Sequence, residues 1–225
     1  MSTPISALPP ILLDAPNWLV IDKPAGLAVH PGPRTPRSLE DILPGYAPNR
    51  PAPQAVHRLD RDTSGCLLLA RRASALRALS RQFETGQVKK LYWALVDKAP
   101  ADDRGEIDAP LLKQSSRADG WRMIVSADGK PARTRWEVLQ RQGATALIAF
   151  QPETGRTHQI RVHATLLATG SAIWGDPVYG QPQQQGVGGM MLHARALEFD
   201  DPATNARRRA EAPLPARFQL MGFTG

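Results

Sequence analysis

The chain has 225 residues, 42% hydrophobic and 22% charged, a balance typical of a globular protein with a buried core. No apolar run approaches the roughly 20 residues of a membrane-spanning helix, and the amino-terminal stretch lacks the basic start and continuous apolar segment of a signal peptide. We therefore expect a cytoplasmic protein with no membrane association, folded as one domain over residues 1–225.

The charge balance favours a polyanionic partner. Lys and Arg number 28 against 21 Asp and Glu, which gives a formal net charge of +7. A basic surface suits RNA or DNA, although many small proteins are basic for solubility alone. The single cysteine, Cys66, excludes an intrachain disulfide and a cysteine-based zinc site.

Hydrophobic patterning predicts strands and one helix in the first half of the chain. The predicted elements are a strand over 18–21, a turn over 23–26, a short helical piece over 38–43, a buried strand over 66–70, and a helix that carries Leu76, Leu79 and Phe83 and ends at Gly86. The segment HRLDRD would then be a loop that leads directly into a buried strand.

The second half predicts more strands and a second helix. Residues 90–97 alternate, so Tyr92 and Trp93 would point to opposite faces of a strand. The remaining elements are a hairpin over 134–139 and 144–150, a helix with Thr157 as its N-cap and Gly170 as its stop, and a last strand through LHARALEF.

Asp60 in HRLDRDTSG is the main candidate for chemistry. It lies beside Arg61 and two residues after Arg58, and neighbouring positive charge keeps a carboxylate ionised and able to act as a nucleophile. The same pattern also fits a solvated salt-bridge cluster in a turn. A kinase catalytic loop is excluded because the residue order differs and no glycine-rich phosphate loop occurs.

Four ordered segments, HRLDRDTSG, KKLYWALV, GRTHQIRVH and MLHA, resemble the RluA family of pseudouridine synthases. DKPAGLAVHPG near the start and GDPVYG at 175–180 also match the pattern of that family. The resemblance covers residues 18–218. It implies that the enzyme isomerises specific uridines to pseudouridine in structured RNA, by base flipping and with a catalytic aspartate.

The family resemblance also implies the architecture. We expect an α+β fold with a mixed, mainly antiparallel bent sheet, flanking helices and loops, and a catalytic cleft across the sheet. The chain would be a single catalytic domain with a core over about residues 18–218 and no separate amino-terminal RNA-binding domain. It would need no cofactor and no metal, act as a monomer without an obligate protein partner, and modify tRNA, rRNA or both.

Three positions match the catalytic residues of the family. Asp60 would attack or steer the sugar or base, Tyr92 would lie against the target base as a candidate for proton removal, and Arg161 would pair with Asp60. Read without the family, Tyr92 is an ordinary strand aromatic and Arg161 a helix-surface arginine.

Further positions would contact RNA. Arg58 matches the arginine that replaces the flipped uridine in the stack, and Leu192 lies where a hydrophobic side chain covers the base. Arg156 and His158, at the start of the predicted helix, are candidates for RNA contacts. The run Arg207 to Arg209 is either a phosphate contact or a solvated tail.

Two other functions are compatible with these residues. A catalytically silent RNA-binding module on the same fold would bind RNA without making pseudouridine. A glycosidic hydrolase would use a second carboxylate and release free uracil, and only Asp62 offers a nearby acid.

Overall fold

The computed structural model describes residues 8–32, 35, 37–116, 120–184 and 188–224. It divides into two compact units. Unit 1 comprises Met1–Lys89 and Ala194–Pro213, and unit 2 comprises Lys90–His193 and Leu214–Gly225.

The described residues form strands, three α-helices and short 3-10 helices. The strands are β1 Ile11–Asp14, β2 Trp18–Lys23, β3 Gln54–Ala55, β4 Ser64–Ala70, β5 Lys89–Val96, β6 Arg104–Asp108, β7 Leu111–Ser116, β8 Gly120–Val125, β9 Arg133–Gln142, β10 Thr145–Pro152, β11 Leu192–Asp200 and β12 Arg207–Glu211. The α-helices are α1 Ala73–Glu84, α2 Gln159–Ala164 and α3 Ala216–Leu220, and the 3-10 helices are Leu39–Asp41, Leu43–Tyr46 and Pro182–Gln184.

Unit 1 is built on a sheet with neighbouring strands in the order β1, β2, β4 and β11, with β3 beside β4 and β12 beside β11. The pairings of β1 with β2, β2 with β4 and β11 with β12 are antiparallel. Every residue of β4 is buried, as its continuous apolar sequence requires. Helix α1 places Ala75 and Leu79 in the same core as Trp18 and Phe199, whose rings meet edge to face at 4.9 Å.

Unit 2 holds β5, β10, β9 and β6 side by side, all antiparallel. β7 and β8 form a separate two-stranded hairpin. The core of the unit gathers Ala94, Phe150, Ile160 and Leu192, so strand β10 and helix α2 pack on common apolar side chains.

The fold is α+β with a mainly antiparallel sheet, as the sequence predicts. Strands at 18–21 and 66–70, the helix ending before Gly86 and the hairpin of β9 and β10 are confirmed. The second helix is shorter than predicted, since α2 covers only six residues and ends six residues before Gly170. None of the described helices is long and apolar enough to cross a bilayer.

Cys66 is a core residue of unit 1. Its Sγ lies 3.7 Å from the carbonyl oxygens of Arg195 and Ala210, and burial raises the pKa of the thiol to about 12. A thiol with so high a pKa contains almost no thiolate at neutral pH, and thiolate is the reactive form. Cys66 is therefore a packing residue.

Candidate active site

The loop that carries Asp60 is tied to strand β4 at its start. The backbone N–H of Val56 donates to the carbonyl of Leu68 at 3.0 Å, and the N–H of Leu68 donates to Nε2 of His57 at 3.1 Å. The ring of His57 stacks on Phe83 of α1, with centroids 4.4 Å apart. His57 thus anchors the loop to both the sheet and the helix of unit 1.

Asp60 lies at the turn of this loop, half-buried after the buried Leu59. Its carbonyl accepts the N–H of Thr63 at 3.1 Å, which closes the turn. The next carbonyl, of Arg61, accepts the N–H of Gly26 at 2.9 Å. The loop is therefore fixed on its second side by the turn after β2.

Lys23 strengthens this second attachment. It ends β2, has no exposed surface, and its Nζ donates to the carbonyls of Pro24 and Leu27 at 2.8 Å and of Arg61 at 3.1 Å. Three N–H groups of an ammonium match three carbonyl acceptors. The buried ammonium therefore joins two loops immediately beside the backbone of Asp60.

Gly65 allows β4 to begin close to the candidate carboxylate. Its φ is +109°, and a Cβ at this position would lie 2.2 Å from the carbonyl oxygen of Ala194. Both the conformation and the close approach of β11 require a residue without a side chain. The glycine of HRLDRDTSG is thus needed for packing.

The neighbours of Asp60 in the loop include two arginines and a second acid. The guanidinium of Arg61 binds the neighbouring Asp62 at 3.1 and 3.2 Å, which raises the pKa of Arg61. Arg58 is exposed. Asp62, the other acid of the loop, is therefore engaged by Arg61.

Tyr92 and Leu192 belong to unit 2. Tyr92 lies on β5 opposite Phe150 of β10 and is half-buried against the core cluster. Leu192, at the start of β11, is only 3% exposed and packs in the same cluster. An aromatic ring and an apolar side chain thus share one core in this unit.

Arg161 forms a buried two-pronged ion pair with Asp176. Its Nε and Nη2 each donate to a carboxylate oxygen of Asp176 at 2.7 Å, and the side chains are 6% and 0% exposed. Asp176 also accepts the backbone N–H groups of Val178 and Tyr179 at 2.8 and 3.1 Å. Asp176, the carboxylate of GDPVYG, was not singled out from the sequence, and the pairing of Arg161 with Asp60 stays a prediction.

His158 begins helix α2 in place of the predicted cap Thr157. Its φ of +54° is left-handed, a conformation that a residue with a side chain rarely adopts. Nδ1 of His158 lies 3.0 Å from the hydroxyl of Tyr179, which also accepts the N–H of Met123 at 2.9 Å. The strained backbone therefore aims the imidazole at a fixed hydroxyl.

Arg156 lies three residues before α2, outside the helix that was predicted to begin there. Its side chain is exposed, and its Nε donates to the carbonyl of Pro131 at 3.0 Å. Its N–H donates to the buried side chain of Gln159 at 2.9 Å. The position of Arg156 therefore depends on these contacts and not on a helix N-terminus.

The arginine run is neither a tail nor a free basic patch. Arg207, Arg208 and Arg209 lie on β12, which pairs with β11. Arg207 and Arg209 bind carboxylates on the neighbouring strand, and Arg208 lies 3.8 Å from a further one. The carboxylates are Glu198, Asp200, Asp201 and Glu211.

Two basic groups of unit 2, the half-buried Lys90 and the buried His163, were not singled out from sequence. Nζ of Lys90 donates to the carbonyl of Thr154 at 3.0 Å, and burial lowers the pKa of Lys90 to about 8. His163 is fully buried between the hydroxyl of Thr134 and the carbonyl of Ala109, and burial lowers its pKa. The sequence around these two residues has no distinctive charge pattern. Only their burial in the folded chain distinguishes them from surface residues.

A family model described as RNA pseudouridylate synthase matches residues 17–166. A Zymomonas mobilis protein described as an uncharacterized RNA pseudouridine synthase is 47% identical over 98% of this chain and 100% of its own length. Ribosomal large subunit pseudouridine synthase C of Escherichia coli is 38% identical over 91% of this chain and 66% of its own length.

Two human structures have the same fold. RNA Pseudouridylate Synthase Domain Containing 4 has a TM-score of 0.77 and 28% identity over 93% of this chain and 90% of that one. RNA Pseudouridylate Synthase Domain Containing 1 has a TM-score of 0.79 and 26% identity over 96% of this chain and 90% of that one.

Proposed function

The chain belongs to the RNA pseudouridylate synthase family and isomerises uridine to pseudouridine in RNA, and we propose that Asp60 is the carboxylate that performs this reaction. The observation that carries the proposal is the double attachment of the Asp60 loop. His57 fixes the loop on one side, and the buried Lys23 fixes the backbone of Arg61 on the other. Catalysis by positioned groups needs this rigidity.

The reaction requires few groups. The bond between C1′ and N1 of the uridine breaks, the uracil turns, a bond from C5 to C1′ forms, C5 loses its proton, and N1 gains one. One ionised carboxylate at C1′ and one base suffice, so neither a metal nor a cofactor takes part in our proposal. Among the described residues, no group of three or more His, Cys, Asp or Glu could hold a metal ion.

Tyr92 is proposed to lie against the uracil and to take the C5 proton. Its half-buried ring on β5 offers an aromatic surface and a hydroxyl at one position. Leu192 belongs to the same apolar core, and such surroundings keep water away from the detached base. Exclusion of water separates this isomerisation from glycoside hydrolysis.

Arg161 is proposed to keep Asp60 ionised. Its planar guanidinium has five donors, and the contact with Asp176 uses two of them at 2.7 Å. Asp176 thus holds the arginine in one orientation. Asp176 is a positioning residue in this scheme.

Three further residues are proposed to contact the RNA. Arg58 is exposed and would stack in the gap that a flipped uridine leaves, which partly offsets an unstacking cost of a few kcal/mol. Arg156 is exposed and would contact a phosphate oxygen, and His158 would contact RNA beside it. Both lie immediately before α2.

The substrate is proposed to be structured RNA, either rRNA or tRNA. Relatives such as the Escherichia coli protein are described as acting on the large ribosomal subunit, so large-subunit rRNA is the first RNA to test. We further propose that residues 1–225 act as one catalytic domain, as a monomer and in the cytoplasm.

The decisive experiment compares Asp60→Asn with Asp62→Asn, since both acids lie in one loop. Pseudouridine is mapped chemically in total RNA from cells that lack the gene and carry each variant. We expect no product with Asp60→Asn, near-normal product with Asp62→Asn, and RNA binding by both. Normal turnover by Asp60→Asn would disprove the proposal, and release of free uracil would indicate a hydrolase.

A further inference from the structure

Hairpin β7–β8 of unit 2 places an exposed tryptophan beside basic side chains. In its register Ser115 faces Trp121 and Lys113 faces Met123, so these four residues lie on one face. The base of the hairpin is buried: Leu111 and Met123 pack with Val162 in a small apolar cluster. The hairpin is therefore anchored at one end, and Trp121 lies towards the other.

Trp121 is not a core residue. It keeps 45% of its surface exposed, although an indole gains most by burial. Its ring stacks on His158, with centroids 5.0 Å apart and planes at 25°. Two flat rings in near-parallel contact at the surface form a platform of the kind on which nucleobases stack.

The imidazole beneath Trp121 is held in place. His158 has a left-handed backbone, its Nδ1 lies 3.0 Å from the hydroxyl of Tyr179, and the Tyr179 ring meets it edge to face. Tyr179 is in turn held by its N–H bond to Asp176 at 3.1 Å. Strained conformations that persist in a folded protein commonly mark functional positions.

A basic side chain contacts the platform. Nζ of Lys113 lies 5.0 Å from the centroid of the Trp121 ring, a cation–π contact. Arg156, two residues before His158, is also exposed, and Lys130 is exposed where its backbone pairs with Leu111 at the base of the hairpin. A cation next to an aromatic face suits a ligand that has both a flat ring and a phosphate.

We propose that Trp121, stacked on His158, binds an unpaired nucleobase of the RNA substrate and that Lys113 binds the adjacent phosphate. Base stacking on an aromatic ring is stronger than an exposed cation–π contact. The flexible Lys113 side chain therefore leaves the indole when a base arrives and moves to the phosphate. The inference extends the proposed function, because it assumes RNA as the substrate and adds a second contact outside the reacting uridine.

The test uses direct binding and no turnover, so it stands apart from the test of Asp60. The probe is a fluorescein-labelled single-stranded oligouridylate of about twelve nucleotides, within the usual site sizes of such proteins. We expect Trp121→Ala to weaken binding about tenfold and Trp121→Phe, which keeps a ring, to stay within about threefold of the unaltered protein. Leu139→Ala, at a residue of similar exposure on β9, is the matched control and should bind normally.

Lys113→Gln provides an independent measurement. When the logarithm of the binding constant is plotted against the logarithm of salt concentration, the line has a negative slope. With Lys113→Gln this slope should become shallower by about 0.7, the value for one phosphate contact on a single strand. Binding by Trp121→Ala within twofold of normal would overturn the proposal. So would equal losses for Trp121→Phe and Trp121→Ala with unchanged circular dichroism, or an equal loss for Leu139→Ala.

Discussion

Each unit buries a cation, and the two cations are held in different ways. In unit 1, Lys23 donates to three backbone carbonyls of loops. In unit 2, Arg161 binds the carboxylate of Asp176 through two parallel hydrogen bonds. An ammonium is a compact charge that fits a ring of carbonyls, whereas a guanidinium matches a carboxylate fork. Lys23 therefore fixes main chain, while Asp176 orients a side chain.

The largest effect is expected from breaking the carboxylate pair. Asp176→Asn keeps an oxygen for the two backbone N–H groups but removes the negative charge that compensates Arg161. Removing one partner of a buried ion pair costs about 3–5 kcal/mol of unfolding free energy, measurable by urea titration. Asp128→Asn, at an exposed acid, should change stability by less than about 0.5 kcal/mol.

A double substitution tests whether the ion pair itself is the source of this loss of stability. Arg161→Met combined with Asp176→Leu removes both charges and should be more stable than Asp176→Asn, because apolar replacement of a buried pair is often tolerated. Equal stability of the double and single variants would mean that the pair is not the source of the effect. Both variants should lose turnover if Arg161 keeps Asp60 ionised.

The second effect concerns the carbonyl ring. Lys23→Met leaves three carbonyl acceptors without their ammonium donor, which should cost on the order of 3 kcal/mol in unfolding free energy. Turnover should fall by more than the loss of folded protein accounts for, because the backbone beside Asp60 is no longer fixed. Lys98→Met, at an exposed lysine, serves as the control. A Lys23 variant with full turnover at a temperature where it is folded would contradict the positioning role.

The smallest effect is a pH dependence of stability at a half-buried lysine, Lys90. Burial lowers the pKa of Lys90 from 10.5 to about 8, so below pH 8 the folded and unfolded states are both protonated and the full cost of burying the charge is present. Between about pH 8 and 10.5 the folded state loses its proton first, and stability rises with pH. Lys90→Met should lack this rise, whereas Lys89→Met, at the exposed neighbour, should keep it. Thermal unfolding at about pH 7 and about pH 10 distinguishes the two.

Local patterns in the sequence were sufficient for much of the fold. The continuous apolar run of β4 and the spacing of Leu76, Leu79 and Phe83 depend only on burial, so strand and helix were predicted correctly. The start of α2 was wrong because His158 adopts a left-handed backbone, and only its contact with Tyr179, 21 residues later, reveals why.

The candidate site was less accessible to sequence reasoning. Asp60 was identified from its motif, but the partners that fix its loop come from elsewhere: Lys23 precedes it by 37 residues. Asp176 was missed because its pairing with Arg161 depends on the loop after α2. Arg207 to Arg209 were ambiguous because the carboxylates that neutralise them lie on the neighbouring strand β11 or beside β12.

The buried thiol of Cys66 has a practical consequence. Because this is the only cysteine and its pKa is raised to about 12, maleimide reagents should leave the native protein unlabelled. A cysteine introduced at an exposed position, for example Leu139→Cys, would then be a unique attachment point for a fluorophore. With such a labelled enzyme, the distance between the fluorophore and a tagged RNA could be followed without first replacing the natural cysteine.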